Sequence, residues 1–483
     1  MKEHYRELVK HSAVYGVGQI LSRVASVLLL PLYTYYLSPA DYGTIAILDL
    51  TGSILGVLIG GGIVAAAGRY HFEADGPQAQ TTVWGTSLAL VVAAATLLVA
   101  PALALRGSLA MLALGAEEPA GALYFALALP TVWLAAVSEV PDRYLRIQKR
   151  STMTVVISMG GLLLNIALNV YLLSVARWGV AGVLVGNLIT NMVTTAVRLA
   201  LMSRTAWPMH YDPALARVLW RFGWPMVATA LLAMSMHQAD RYLLRLFVDL
   251  DQIGVYSLAY TIGQGLNGLL LTPFAAIWSV VMYEIAKQPD AKLVFARIFE
   301  YFVYGLLLIL FGVSLFIHPI IRLVAAPEYA GAAELVPIVC LGFVFFSVHA
   351  HFSVPAYLAK QSVSLIVVYA AAAVANILFN FLLVPPFGLA GAAWASVAGY
   401  VVFSAVALVR YRRIDRIDYP LVRCTMVMGA MVASYAGCRY LESLGPDSRW
   451  GLVAPAVVWS AWAAALAYPV LRERRWPALA ATS

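Results

Sequence analysis

The sequence predicts an all-α polytopic membrane protein with about fourteen transmembrane helices. Three observations predict it. Apolar residues make up 62% of the 483 and charged residues only 12%, whereas a soluble domain is nearer half apolar and a quarter charged. The apolar residues gather in runs of roughly 20, the length a helix needs to cross a hydrocarbon core; a β-barrel would show short alternating segments instead. The basic residues alternate along the chain. Of the 32 lysines and arginines, 24 lie at the two ends and in the even-numbered connections, and six in the odd-numbered ones. By the positive-inside rule, that split predicts an even number of spans with both termini cytoplasmic.

The net charge of +8 therefore reports topology, and no nucleic-acid partner is expected. Cys340, Cys424 and Cys438 form no CxxC pair and have no histidine at metal-ligand spacing, so neither a disulfide framework nor a metal site is expected. No GxxxxGK[ST] loop is present, which excludes ATP as the direct energy source. No other cofactor is expected.

In order, the chain begins with a lead from Lys2 to His11, with Lys2, Arg6 and Lys10 on one helical face, expected to lie on the membrane surface. Spans 1 to 6 fall near 13–37, 43–67, 83–105, 120–140, 153–174 and 179–201. The first is too long for the apolar core of a cleaved signal. Spans 7 to 12 fall near 221–247, 254–283, 296–317, 333–358, 363–384 and 388–409, and spans 13 and 14 near 421–439 and 451–471. Connections are short, and no soluble domain is inserted.

An internal repeat organises these spans. Asn165-Ile166-Ala167-Leu168-Asn169 is followed by Gly179-Val180-Ala181-Gly182, and Asn376-Ile377-Leu378-Phe379-Asn380 by Gly388-Leu389-Ala390-Gly391. The Asn pairs are 211 residues apart and the Gly pairs 209; Ser38 to Gly43 and Asp249 to Gly254 are again 211 apart. A shared offset predicts a duplicated six-helix unit. The expected division is an N-lobe of residues 1–208, a C-lobe of 209–415, and two C-terminal helices in 416–483. An even number of helices per copy gives both copies one orientation, with substrate expected where the lobes meet.

Polar residues inside the spans are the candidate site, because intramembrane charge is expensive unless it faces water or a partner. Gln19 and Arg23 share a face of span 1. His237 and Arg241 share a face of span 7, with Asp240 one position round; Asp240 would pair with Arg23 across the lobes, as a functional group or as a structural lock. Gln264 and Asn267, a turn or two after Tyr256 and Tyr260, suit sugar contact or helix-to-helix bonding. Arg69 with Glu73 ends span 2, either guiding an anionic headgroup or setting topology. Asp49 would carry a coupling proton or pair with Arg23. His349 and His351 are further coupling candidates, because imidazole titrates near neutrality; two residues apart on a helix they point away from one another, which argues against a metal site. The paired Asn residues and GxxG turns read as packing devices.

The run SRVASVLLLPLYTYYLSPADYGTIAI, then GRYHFE, then DRYLLRLFVDLDQIGVYSLAY, then NxxxN and GxxG in both halves, resembles bacterial polysaccharide transporters. It is similar to the Wzx-type flippases of lipid-linked oligosaccharides, in the superfamily that also holds lipid II flippases and multidrug/toxin extruders. The resemblance covers about the first 410 residues. It implies a two-lobe, alternating-access transporter of the bacterial cytoplasmic (inner) membrane, moving an undecaprenyl-diphosphate-linked oligosaccharide outward for lipopolysaccharide O-antigen, capsule or exopolysaccharide biosynthesis. Its implied partners are that cargo, membrane lipids, a polysaccharide polymerase and a chain-length regulator. Arg23 and Arg241 would then be the diphosphate ligands, since guanidinium forks match phosphate oxygens. A cation-coupled multidrug extruder is the alternative, against which the two extra spans and cationic interior count. A membrane glycan polymerase or ligase fits less well: the longest outward connections, near Arg106 to Leu123 and His318 to Ala332, offer only Glu117, Glu118 and Glu328 as acids. The protein is therefore expected not to be an enzyme.

Overall fold

The computed structural model describes residues 29–116, 118–359, 361, 363–444 and 450–472. The lead from Lys2 to His11, and most of span 1 with Gln19 and Arg23, lie outside the described residues, as does Glu117. Among the described residues the regular structure is helical and no strand occurs. Each of the predicted spans 2 to 14 falls on a helix. The first seven helices are α1 (Pro39–Glu73), α2 (Gly76–Ala104), α3 (Arg106–Ala113), α4 (Gly121–Ile147), α5 (Ser151–Val170), α6 (Gly179–Ala206) and α7 (Pro213–Arg245). They are followed by α8 (Leu250–Ile285), α9 (Ala291–Val324), α10 (Ala332–Phe352), α11 (Val354–Leu358), α12 (Val363–Tyr411), α13 (Leu421–Leu444) and α14 (Trp450–Arg472). Ten helices among the described residues are long and apolar enough to cross a membrane. The connection from Arg106 to Leu123 is partly ordered as α3. Eight residues rise only about 12 Å, which is too short to cross.

Local sequence sets these boundaries. Ser38 and Asp41 form a capping box, the Ser38 hydroxyl accepting the Asp41 amide at 3.2 Å and the Asp41 carboxylate the Ser38 amide at 3.0 Å, with Pro39 opening α1. Asp212 caps α7 in the same way, accepting from Ala214 and Leu215 ahead of Pro213. The repeat motifs have matching conformations. Gly179 opens α6 at φ 54°, and Gly388 breaks α12 at φ 54°, separating the two spans predicted there. A side chain is disfavoured at that φ, so glycine sets both turns. Asn169 Nδ2 donates to Asn165 O at 2.8 Å, and Asn380 Nδ2 to Asn376 O at 2.8 Å.

The chain forms two compact units. Unit 1 holds the chain through Leu258 together with Val324–Tyr329 and Tyr369–Gly399. Within it, α1 lies against α2, α4 and α7, and α4 against α6. Trp84 of α2 is fully buried and donates to His71 Nδ1 of α1 at 3.1 Å, while Arg198 of α6 donates to Ser138 of α4 at 2.9 Å and Ser158 of α5 at 3.2 Å. Asn165 of α5 donates to Asn187 of α6 at 2.9 Å, so one Asn of the repeat motif does bridge helices.

Small residues fix how α1 meets its neighbours in unit 1. A Cβ on Gly43 would collide with Leu250 O and lie 3.0 Å from Gly254 N; a Cβ on Gly254 would collide with Pro39 O. Leu250 and Gly254 lie 211 residues after Pro39 and Gly43, so the starts of α1 and α8 cross as a self-complementary pair. Further along, Thr51 hydrogen-bonds to Tyr242, and a Cβ on Gly223 would sit 2.6 Å from Gly62 C. α1 and α7 therefore run antiparallel.

Unit 2 holds Ala259–Leu323, Ala330–Val368 and the chain from Tyr400. α9 buries Phe295, Phe299, Val303, Leu306 and Leu310 along one stripe, the spacing of a helix face against a core. Span 14 docks on it: Trp459 Nε1 donates to Leu308 O at 3.1 Å beside Gly312. Elsewhere large apolar side chains point outward, Leu112 and Leu323 each 84% exposed, which suits a lipid surface and not water.

Candidate functional site

Within unit 1, three helices enclose a cavity of about 440 Å³. α1 presents Asp49, Gly52, Ser53 and Gly56, spaced by three or four residues and so on one face. α4 presents Ala128, Thr131, Ala135 and Glu139 at the same spacing, and α6 contributes Leu184 and Asn187. Glycines and alanines leave the space; two carboxylates, two hydroxyls and an amide line it. Asp49 and Glu139 are both exposed into it. Among the described residues no group of three or more His, Cys, Asp or Glu could hold a metal ion. The lining suits hydroxyl-rich or cationic groups through hydrogen bonds and charge.

On α7, Arg241 is near enough for its charge to act on Asp49. His237, one turn before Arg241, is partly buried in the same helix. Asp240 is different. It is 2% exposed and accepts from the Tyr256 hydroxyl, from Ser396 Oγ at 3.2 Å and from the Arg241 amide at 3.0 Å. Asp240 thus ties α7 to α8 and α12 within unit 1. Replacing it by Ala removes the acceptor that joins three helices, and Asp240→Ala is expected to cost about 2 kcal/mol. Asp240→Asn keeps an acceptor and should cost much less; thermal melting of the two purified variants in detergent separates them.

The other sequence candidates are scattered. Arg69 pairs with Glu73 at 2.8 Å and lies 4.9 Å from the ring centre of Phe222. In unit 2, Gln264 is exposed, whereas Asn267 is buried and accepts from Ser347 Oγ at 2.7 Å. His349 stacks on Phe403 with ring centres 3.8 Å apart and bonds to Ser353 Oγ. His351 is fully buried among Phe274, Trp278, Phe299 and Phe302, with ring centres 4.8 to 5.5 Å away. Gln19 and Arg23 lie outside the described residues. Sequence reasoning missed Glu139; its spacing of four from Ala135 and eight from Thr131 was the available signal.

Long apolar helices around a polar, acid-lined interior space define a multi-span membrane protein. A family model described as Polysaccharide biosynthesis protein matches residues 35–334, and the chain belongs to that family. No curated protein matches the sequence. Among solved structures the chain is similar to a lipid II flippase MurJ in an inward closed conformation, with TM-score 0.76 and 12% identity over 96% of this chain and 100% of that one. It is also similar to an inward-facing multidrug resistance MATE family transporter of the MOP superfamily, with TM-score 0.66 and 15% identity over 86% and 99% of the two chains. An outward-facing MATE family transporter matches with TM-score 0.54 and 16% identity over 87% and 96%. The chain shares its fold with these solved structures.

Proposed function

We propose that the protein is a flippase that moves an undecaprenyl-diphosphate-linked oligosaccharide from the inner to the outer leaflet of the bacterial cytoplasmic membrane. The observation that carries this reading is membership of the polysaccharide biosynthesis family in a chain with a flippase-like fold. The cargo serves O-antigen, capsule or exopolysaccharide assembly, downstream of which a polymerase and a chain-length regulator act. Transport is by alternating access between lobes 1–208 and 209–415, with residues 416–483 appended and both termini cytoplasmic. Arg23 and Arg241 bind the diphosphate, aided by Gln19 and His237. Arg69 guides the headgroup at the inner mouth, and Gln264 and Asn267 meet sugar. Asp240 positions span 7. Asp49, His349 and His351 are the coupling candidates. No chemical step on the cargo is assigned to any residue.

The test is a strain lacking the gene, with related flippases repressed, from which undecaprenyl-linked glycans are extracted. A completed, unpolymerised repeat unit is expected to accumulate on the cytoplasmic face. A second reading, a cation-coupled multidrug extruder, draws support from the acid pair Asp49 and Glu139 in the cavity. New sensitivity to cationic drugs with no glycan accumulation would select it.

A further inference from the structure

We propose that unit 1 holds a second site, which binds an anionic phospholipid of the surrounding membrane with its acyl chains in an apolar pocket and its phosphate on Arg245. The inference stands whatever the cargo is. The pocket encloses about 600 Å³ among α1, α3, α4 and the end of α7, within the roughly 300 to 1,000 Å³ of small-ligand sites. Leu109 and Leu112 of α3, Phe125 of α4 and Leu243 and Leu246 line it. Its two hydroxyls are already spent on the protein: Thr51 donates to Ile47 O at 2.8 Å, and Tyr242 bonds to Thr51. The other polar side chain in the lining is Arg245, and no carboxylate lines the pocket. The cavity holding Asp49 and Glu139 has the opposite chemistry.

Arg245 is held in place but not neutralised. It donates to Leu114 O at 2.7 Å and to Val248 O at 3.4 Å, and no carboxylate pairs with it among the described residues. A Cβ on Gly115, whose φ is 85°, would collide with Nη2, so the glycine lets the guanidinium lie against the chain. A guanidinium has more N–H donors than two carbonyls take, and phosphate oxygens match those that remain. A fixed cation at an apolar pocket is complementary to an amphiphile whose charge and tail are covalently joined. Leu112 and Leu246 are exposed at this pocket, where membrane lipid reaches them. The connections at this end are the sparsely charged ones, expected to face outward, so the occupant comes from the outer leaflet. Acyl chains gain little by leaving bilayer for an equally apolar wall; the headgroup on Arg245 therefore decides occupancy. The much longer tail of a polyprenyl phosphate overflows the pocket.

The test uses the full-length protein in detergent, with bound lipid counted by native mass spectrometry. The probes are phosphatidylglycerol, diacylglycerol with the same acyl chains, and undecaprenyl phosphate. The parent should bind phosphatidylglycerol about tenfold more tightly than diacylglycerol. Arg245→Gln should lose that preference, and Arg245→Lys, which keeps the charge, should retain most of it. Leu112→Trp fills the pocket from an exposed position and should weaken phosphatidylglycerol binding about tenfold with Arg245 intact. Leu323→Trp, as exposed but outside the pocket, should change nothing. An Arg245 that only ties α3 to α7 would lower the melting temperature on substitution and leave the lipid preference as it was; that result overturns the proposal. Binding untouched by Leu112→Trp overturns it as well. Tighter binding of undecaprenyl phosphate, lost in Leu112→Trp, overturns the phospholipid assignment. Should Leu112→Trp fail to fold, Leu246→Trp fills the same pocket from another exposed position, and the two Arg245 variants read the headgroup without either. Accumulation of the lipid-linked glycan in the deletion strain is a separate readout, so the flippase reading stands or falls apart from this one.

Discussion

Arg241→Ala is expected to abolish glycan export while the protein is still made and inserted. An ionised guanidinium inside a span costs several kcal/mol unless water or a partner receives it, so a charge kept there is expected to serve the cargo. Asp49, the acid that Arg241 acts on, faces the cavity and can be solvated there when the guanidinium is gone. The loss falls on the cargo. A fork holding two phosphate oxygens supplies two charge-assisted hydrogen bonds, together on the order of 3 kcal/mol, or about a hundredfold in affinity. Arg241→Lys keeps the charge but not the fork, and should retain part of the activity. Export is read from surface polymer and from accumulation of the lipid-linked unit, alongside protein level in membranes. Normal export by Arg241→Ala at normal protein level would remove Arg241 from the binding role. The same experiment on Arg23 tests the pairing of the two arginines that the sequence suggests.

Most of the fold was legible because its signals are long. A run of 20 apolar residues is hard to mistake, and loop charges report alternation whatever the tertiary structure. The turn glycines were legible from recurrence, and Gly179 and Gly388 share a φ of 54°. α3 was not legible: eight residues bounded by Arg106 and Gly115 read as a connection, and only packing beside α4 orders them. The site was legible in part. Asp49, Asp240 and Arg241 stood out as charges within spans, but their division of labour did not. The partners of Asp240 lie 16 and 156 residues away, at Tyr256 and Ser396, and no periodicity within α7 reveals them. Glu139 was lost for the opposite reason. It sits just before Asp142 and Arg143, so it reads as the charged end of a span. In the fold, α4 continues to Ile147 and turns Glu139 into the cavity beside Thr131. Which of the glycines 60 to 62 touches another helix was equally hidden; the answer is Gly62, against Gly223.

That dependence on glycine contacts leads to the other large effect. Gly254→Ala is expected to reduce export at least tenfold, through a single methyl group. Its Cβ would fall on the carbonyl oxygen of Pro39, a backbone atom that cannot turn aside as a flexible side chain does. Overpacking of this kind costs about 1 to 3 kcal/mol. The penalty applies only while the starts of α1 and α8 cross, so it acts on that arrangement and not on helix formation; Ala is in fact the better helix former. At about 2 kcal/mol the crossed arrangement loses roughly thirtyfold in population. A carrier that must form and break this crossing in each cycle would then stall on one side. Gly43→Ala meets Leu250 O across the self-complementary pair and should do the same. Because each substitution relieves the contact the other needs, the double variant should lose less than the product of the two. Gly160→Ala and Gly305→Ala, where an added Cβ meets nothing within 4 Å, should export normally and melt no lower than the parent. Full export by Gly254→Ala would mean that the crossing opens and closes without limiting transport, and that access to the cavity is controlled elsewhere along α1.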